Sequence, residues 1–246
     1  DGTRGAHINI SGVSGVATKT TYATFLLYGI YHSDLLGAEA ANTRAIIFNV
    51  KGEDLLFLDR GNDRLKPEAA DQYRKLGLEP GPFESVSIFA PVRRDETALL
   101  PHTGSRMEGV TAYCWSVEEF CRERYLRFLF AEADDETSHL AAVIDRVEAA
   151  LANDQDAWKA ADFQELREII EQNIEHWAGS AAAGTKAAFV RRLEAAGYRA
   201  GHLIRGRIDN QDRHRIDWNR SQVTVIDIHN LHDRAKRFVI GVVLKK

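Results

Sequence analysis

The run TRAIIFNV, residues 43–50, constrains this chain more than any other stretch. Its apolar side chains fall on successive positions rather than alternate ones, so a strand built from it would be wetted on neither face. Strands of that kind belong to parallel sheets covered by helices, and parallel neighbours need long crossover connections. The flanking sequence supplies both. AHINIS (6–11) alternates and reads as a strand, and TKTTYATFLLYGIYHSDLL, with apolar residues at helical spacing, reads as a helix from near Thr18. Strand, helix and strand then form one βαβ unit. SVSIFAPV (85–92) is a further strand, and Val223–Ile228 another buried one, followed by the helical HDRAKRFVIGVVLKK. The expected class is α/β, with a mostly parallel sheet and helices on both faces.

The middle of the chain reads differently. Residues 93–112, with Pro101 and Gly104, read as a loop. From WSVEEFCRERYLRFLF to about Leu151 the pattern is helical, with Ser116 as N-cap and Glu119 three residues on as a capping box. Asp162 caps a second helix, DFQELREIIEQNIEHW, and TKAAFVRRLEAAGYRAG is a third, ending at Gly197. The net charge of −4 hides an asymmetry. Glu132 to Glu175 holds 13 acidic and 3 basic residues, whereas Lys186 to Lys246 holds 14 basic and 6 acidic ones. The chain therefore divides into an α/β core (1–131), an acidic helical insertion (132–185) and a continuation of the core (186–246). Only the last has the charge to face a polyanion.

Cys114 and Cys121 match no zinc spacing and read as buried thiols in a reducing cytoplasm. The longest apolar stretches, such as Ala23 to Tyr31, are too short to cross a bilayer, so no membrane association is expected. The single methionine is Met107, and the chain reads as an internal part of a longer protein. Trp115, Trp158, Trp177 and Trp218 read as core or interface residues rather than base-stacking platforms.

Chemistry points to ISGVSGVATKTTYATFLLY (10–28). A phosphate loop needs small residues that turn backbone N–H groups inward, then a lysine and a hydroxyl at a helix N-terminus. Gly12, Ser14, Gly15 and Ala17 supply smallness, and Lys19 and Thr20 the charge and hydroxyl. Val13 and Thr18 stand where the usual G-x-x-x-x-G-K-[ST] pattern has its glycines. Asn49, Lys51, Glu53 and Asp54 follow one buried strand, and Asp227 ends another, at the carboxyl edge where α/β ligands bind. His229 and His232 beside Asp227 and Asp233 have no recognised metal spacing and read as junction residues.

HINISGVSGVATKT, IIFNVKGEDLLFLD, YCWSVEEFCRERYLRFLFA and VTVIDIHNLHDRAKRFVIG together resemble the bacterial HerA-like ATPases, relatives of FtsK in the RecA-like P-loop class. The resemblance implies a RecA-like P-loop NTPase core that binds ATP and Mg²⁺. Residues Gly12, Val13, Ser14, Gly15, Val16, Ala17, Thr18, Lys19 and Thr20 would hold the phosphates, with Lys19 on the β/γ-phosphates and Thr20 on Mg²⁺. It also implies a cytoplasmic homo-oligomer, a hexamer, that moves along duplex DNA and works with a nuclease or other effector in DNA end processing or phage defence. A trans-acting arginine would come from among Arg205, Arg207, Arg213, Arg215 and Arg220. In that family the strand carrying the water-activating Glu follows the DIHNL strand. Here Asp227 is followed by Ile228, so no catalytic residue is assigned and slow or no turnover is expected of this chain as given. The alternative is a nucleotide-binding scaffold or regulatory subunit that assembles with an effector enzyme; a small-molecule kinase fits less well.

Overall fold

The computed structural model describes residues 8–11, 18–94, 97–130 and 139–245. Four parallel strands form the central sheet in the order β1-β6-β2-β3: β1 (Ala45–Asn49), β6 (Val223–Asp227), β2 (Val86–Pro91) and β3 (Val110–Tyr113). The last described strand thus enters between the first two described ones. This position explains its composition, because all five residues of β6 are buried. The helices are α1 (Thr18–His32), α2 (Pro67–Lys75), α3 (Val117–Arg122), α4 (His139–Leu151), α5 (Phe163–Trp177), α6 (Ala183–Ala200), α7 (Gln211–His214) and α8 (Asp233–Lys245). A second, two-stranded parallel sheet pairs β4 (Trp115–Ser116) with β5 (Ile204–Arg205). The molecule is a mixed α/β protein with a parallel central sheet, compatible with a Rossmann- or RecA-like arrangement.

Alternation along the strands sorts side chains onto two unequal cores. Val223, Val225 and Ile88 join Tyr28 of α1 and Leu56 in the smaller one. Phe89 and Ile226 face the larger one, which continues through α3, α4, α5, α6 and α8. On α8 the buried Ala235, Phe238, Val239, Val242 and Val243 recur at helical spacing and make one apolar face. Phe238 lies edge-on to Trp115, at 5.1 Å between ring centroids. A fully buried aromatic of this size contributes about 1.5–3 kcal/mol.

The structure corrects several expectations. Ile8–Ser11, the described part of the expected AHINIS strand, forms no strand, and Ile8 is 74% exposed. TRAIIFNV does supply β1, with Ile46 and Phe48 packed on one core and Ala45 and Ile47 on the other. Yet β1 is only half-buried until Asn49, because it lies at the end of the described strand order. Residues 93–112 are not wholly loop: Val110 begins β3, which pairs with β2. Helix α2 is unanticipated, although Pro67 at its first turn is a recognisable start signal.

No continuous helix runs from Trp115 to Leu151. Ser116 caps α3, its hydroxyl accepting from the Glu119 N–H at 3.0 Å. The Glu119 carboxylate, however, accepts from Gln211 Nε2 at 2.7 Å and pairs with Arg215. Arg124 adopts a left-handed φ of 56°, which ends the helix and turns Tyr125, Leu126, Leu129 and Phe130 into the core. Nor does Gly197 end its helix. It lies inside α6, where a Cβ would come within 2.7 Å of the Phe163 ring, so glycine permits the close approach of α5 and α6. The Asp162 cap is as expected, its carboxylate accepting from the Glu165 N–H at 2.9 Å. Helices α4 and α5, from the stretch expected to be an insertion, share one core with α6 and α8.

Candidate functional site

Asn49 and Asp227 are register partners at the carboxyl ends of β1 and β6. Both are buried, Asp227 completely. A buried carboxylate needs donors. Asn49 Nδ2 donates to Asp227 Oδ1 at 2.8 Å and to the Gly52 carbonyl at 2.7 Å. His229, just past β6, donates its backbone N–H at 3.3 Å and its Nδ1 at 2.8 Å to Oδ1. Because an ionised carboxylate only accepts, the proton of that bond belongs to Nδ1. The other ring nitrogen, Nε2, therefore faces Glu53 Oε1, 4.0 Å away.

Glu53 is itself held from a third connection. The N–H groups of Gly104 and Ser105 donate to its two oxygens at 2.5 and 2.6 Å, and the Ser105 hydroxyl donates as well. Burial alone would raise its pKa, but these donors and His229 outweigh that and hold the carboxyl below its ordinary value. The 103–109 loop is fixed in turn by the buried Arg106, which forks onto Asp59 at 2.5 and 2.7 Å. The Arg106 fork holds the Asp59 carboxyl below its usual range. Gly109, at φ +72°, is required here, since a Cβ would lie 2.8 Å from Arg106 Nη2.

Three connections, after β1, before β3 and after β6, are thus tied into one hydrogen-bonded edge. It presents an imidazole nitrogen beside an ionised carboxylate, with Lys51 exposed on the adjoining turn. Asn49, Glu53 and Asp227 come together as expected of strand-end residues. Asp54 does not join them, being exposed at the start of a 3-10 turn. His232 is also separate and exposed, its Nδ1 accepting from the Arg234 N–H at 3.3 Å. Among the described residues no group of three or more His, Cys, Asp or Glu side chains is arranged to hold a metal. Gly104 and Ser105 were not anticipated, and only the Gly-Ser pair near a strand start signals them.

Of the expected phosphate-loop residues, Gly12, Val13, Ser14, Gly15, Val16 and Ala17 lie outside the described residues. Thr18, Lys19 and Thr20 form the first turn of α1, with Thr20 exposed. The last turns of α1 are anchored at the amino edge of the sheet. Tyr28 Oη donates to the Glu79 carbonyl ahead of β2, and Tyr31 Oη to the Gln222 carbonyl ahead of β6. Thr18 lies about 20 Å from Tyr31 along the helix, away from that edge.

Among the five candidate arginines, Arg215 pairs with Glu119 and Asp212, and Arg220 with Asp217. Arg205 donates to the Arg93 carbonyl. Arg207 and Arg213 are exposed, and neither forms an ion pair with another described residue. Both cysteines are buried free thiols, pushed up by burial to about 12, so neither is a thiolate nucleophile. No described helix is long and apolar enough to cross a membrane. No protein-family model matches this chain, and no curated protein matches it.

Proposed function

We propose that this chain is the nucleotide-binding α/β part of a P-loop ATPase of the HerA-like kind, taking ATP with Mg²⁺ at the start of α1. The observation that carries the reading is the parallel order β1-β6-β2-β3 with Asn49, Glu53, Asp227 and His229 gathered at its carboxyl edge. Parallel α/β folds bind ligands at that edge. The first turn of α1, directed away from the amino edge, supports it, because a helix N-terminus favours anions. Lys19 would meet the β/γ-phosphates and Thr20 the Mg²⁺. The chemistry would be phosphoryl transfer to water by positioning and charge neutralisation. The wider reading is a homo-oligomeric ring, a hexamer, moving on duplex DNA with a nuclease or other effector. It rests on the motif resemblance.

Calorimetry with Mg²⁺-ATP tests the site. The chain binds saturably, and Lys19→Ala weakens binding tenfold or more, about the effect of losing one charge-assisted contact. Equal affinity in the two chains removes the phosphate-loop reading.

One observation favours a second reading, a nucleotide-binding scaffold or regulatory subunit. Both edge carboxylates, Asp227 and Glu53, already accept three hydrogen bonds each, which leaves neither poised to take a proton from water. ATP turnover at saturating nucleotide separates the two.

A further inference from the structure

Away from the Asn49–Asp227 cluster, a cavity of about 420 Å³ opens where the start of α5, the last turns of α6, β5 and the segment after β2 meet. That volume lies in the range of small-molecule sites. Its floor is apolar, formed by the buried Phe163 and Ile204. Its lining carries three arginines, Arg94, Arg167 and Arg205, against two acids, Asp162 and Glu194.

How those guanidinium groups are satisfied is informative. Arg94 donates to the Tyr198 carbonyl at 3.0 Å and the Arg199 carbonyl at 3.5 Å, and lies over the Tyr198 ring. Arg205 donates to the Arg93 carbonyl at 2.7 Å, and its buried Nε has no partner among the described residues. Carbonyls orient a guanidinium but leave its charge intact. Only Arg167 has a carboxylate, that of Glu171 at 2.7 Å. Of the two acids in the lining, Asp162 is turned to its own helix as the cap of α5, and Glu194 is on α6. Among the described residues neither Arg94 nor Arg205 is ion-paired, so three arginines and two acids leave the lining with a net positive charge. The first turn of α5 adds the positive end of a 15-residue helix. The neighbouring His202 registers the same field: burial first, then Arg94, Arg205 and His102, push it down to about 4, so it is neutral here at physiological pH.

We propose that this cavity is a ligand site separate from the β1–β6 edge. It takes a small organic anion whose phosphate or carboxylate group lies between Arg94 and Arg205 and whose less polar body rests on Phe163 and Ile204.

The test is calorimetric titration of the full chain with pyrophosphate and with citrate. It is done in the Lys19→Ala background so that a phosphate loop contributes nothing. At least one anion binds saturably, and which one binds identifies the preferred group. Binding weakens about tenfold in Arg94→Gln, the loss expected for one charged contact, and further in the double variant R94Q/R205K. Arg94 is exposed, so its replacement leaves the fold intact, which the thermal midpoint verifies. Absence of saturable binding by either anion, or affinity unchanged in both variants, overturns the proposal.

Discussion

Among the described residues Glu148 and Asp227 are the two carboxylates most removed from solvent, and they are satisfied in opposite ways. Glu148, on α4 and 1% exposed, faces Arg127: it accepts from the Arg127 backbone N–H at 3.1 Å, from Nε at 2.8 Å and from Nη2. Its partner is a permanent cation on the turn after α3. Asp227, at the sheet's carboxyl edge, accepts only from an amide, a backbone N–H and an imidazole. A guanidinium fork is a fixed strut, since arginine stays protonated. An amide and an imidazole instead satisfy the acceptor oxygens without bringing a permanent counter-charge. The helical half thus uses its buried acid to brace a chain reversal, and the sheet edge uses its acid to join the connections after β1 and β6.

Three measurements sharpen or break that contrast. The largest effect is expected from Arg127→Ala, which takes the guanidinium from Glu148, leaves it the residue 127 backbone N–H, and lowers unfolding free energy by about 3–5 kcal/mol. A loss under about 1 kcal/mol in urea titration would show that solvent reaches Glu148 and the strut is not needed. Asp227→Asn should cost less, about 1–3 kcal/mol. It keeps one acceptor oxygen for Asn49 or His229 but sets an amide donor against their N–H groups. A loss equal to that of Arg127→Ala would place the two carboxylates in one structural class.

The smallest effect belongs to Glu53 and appears only with pH. Its pKa is held below the ordinary 4.5. It therefore contributes stability that is fully present above that value and is lost as pH falls through the depressed one, where the unfolded chain binds more protons. In Glu53→Gln this component is absent, so the stability profile should flatten as pH falls below the ordinary 4.5. Parallel profiles for the two chains would mean that Gly104 and Ser105 do not hold the charged form.

The α1 helix, β2, β6, the Asp162 cap and the amphipathic α8 were legible because each is written in neighbouring residues. Apolar spacing names the face that must be buried, and a cap satisfies N–H groups only three residues away. By itself the sequence determined a parallel α/β class, two buried thiols and polar residues at strand ends. It also determined a Lys-Thr pair at the start of a helix. Tertiary structure alone decided which strands are neighbours. Asn49 and Asp227 meet across 178 residues, and no local pattern encodes that β6 enters between β1 and β2. It likewise decided that β3 forms at Val110, since a four-residue strand is stabilised by its partner rather than by its own propensity. Gly197 continues α6 because Phe163 needs the space, and the helix after Ser116 breaks at Arg124 because the residues beyond it have a core to enter. The site follows the same division. Its acids are visible as residue types at strand ends, but Ser105 on Glu53 and His229 on Asp227 are contacts that exist only once three distant connections have been brought to one edge.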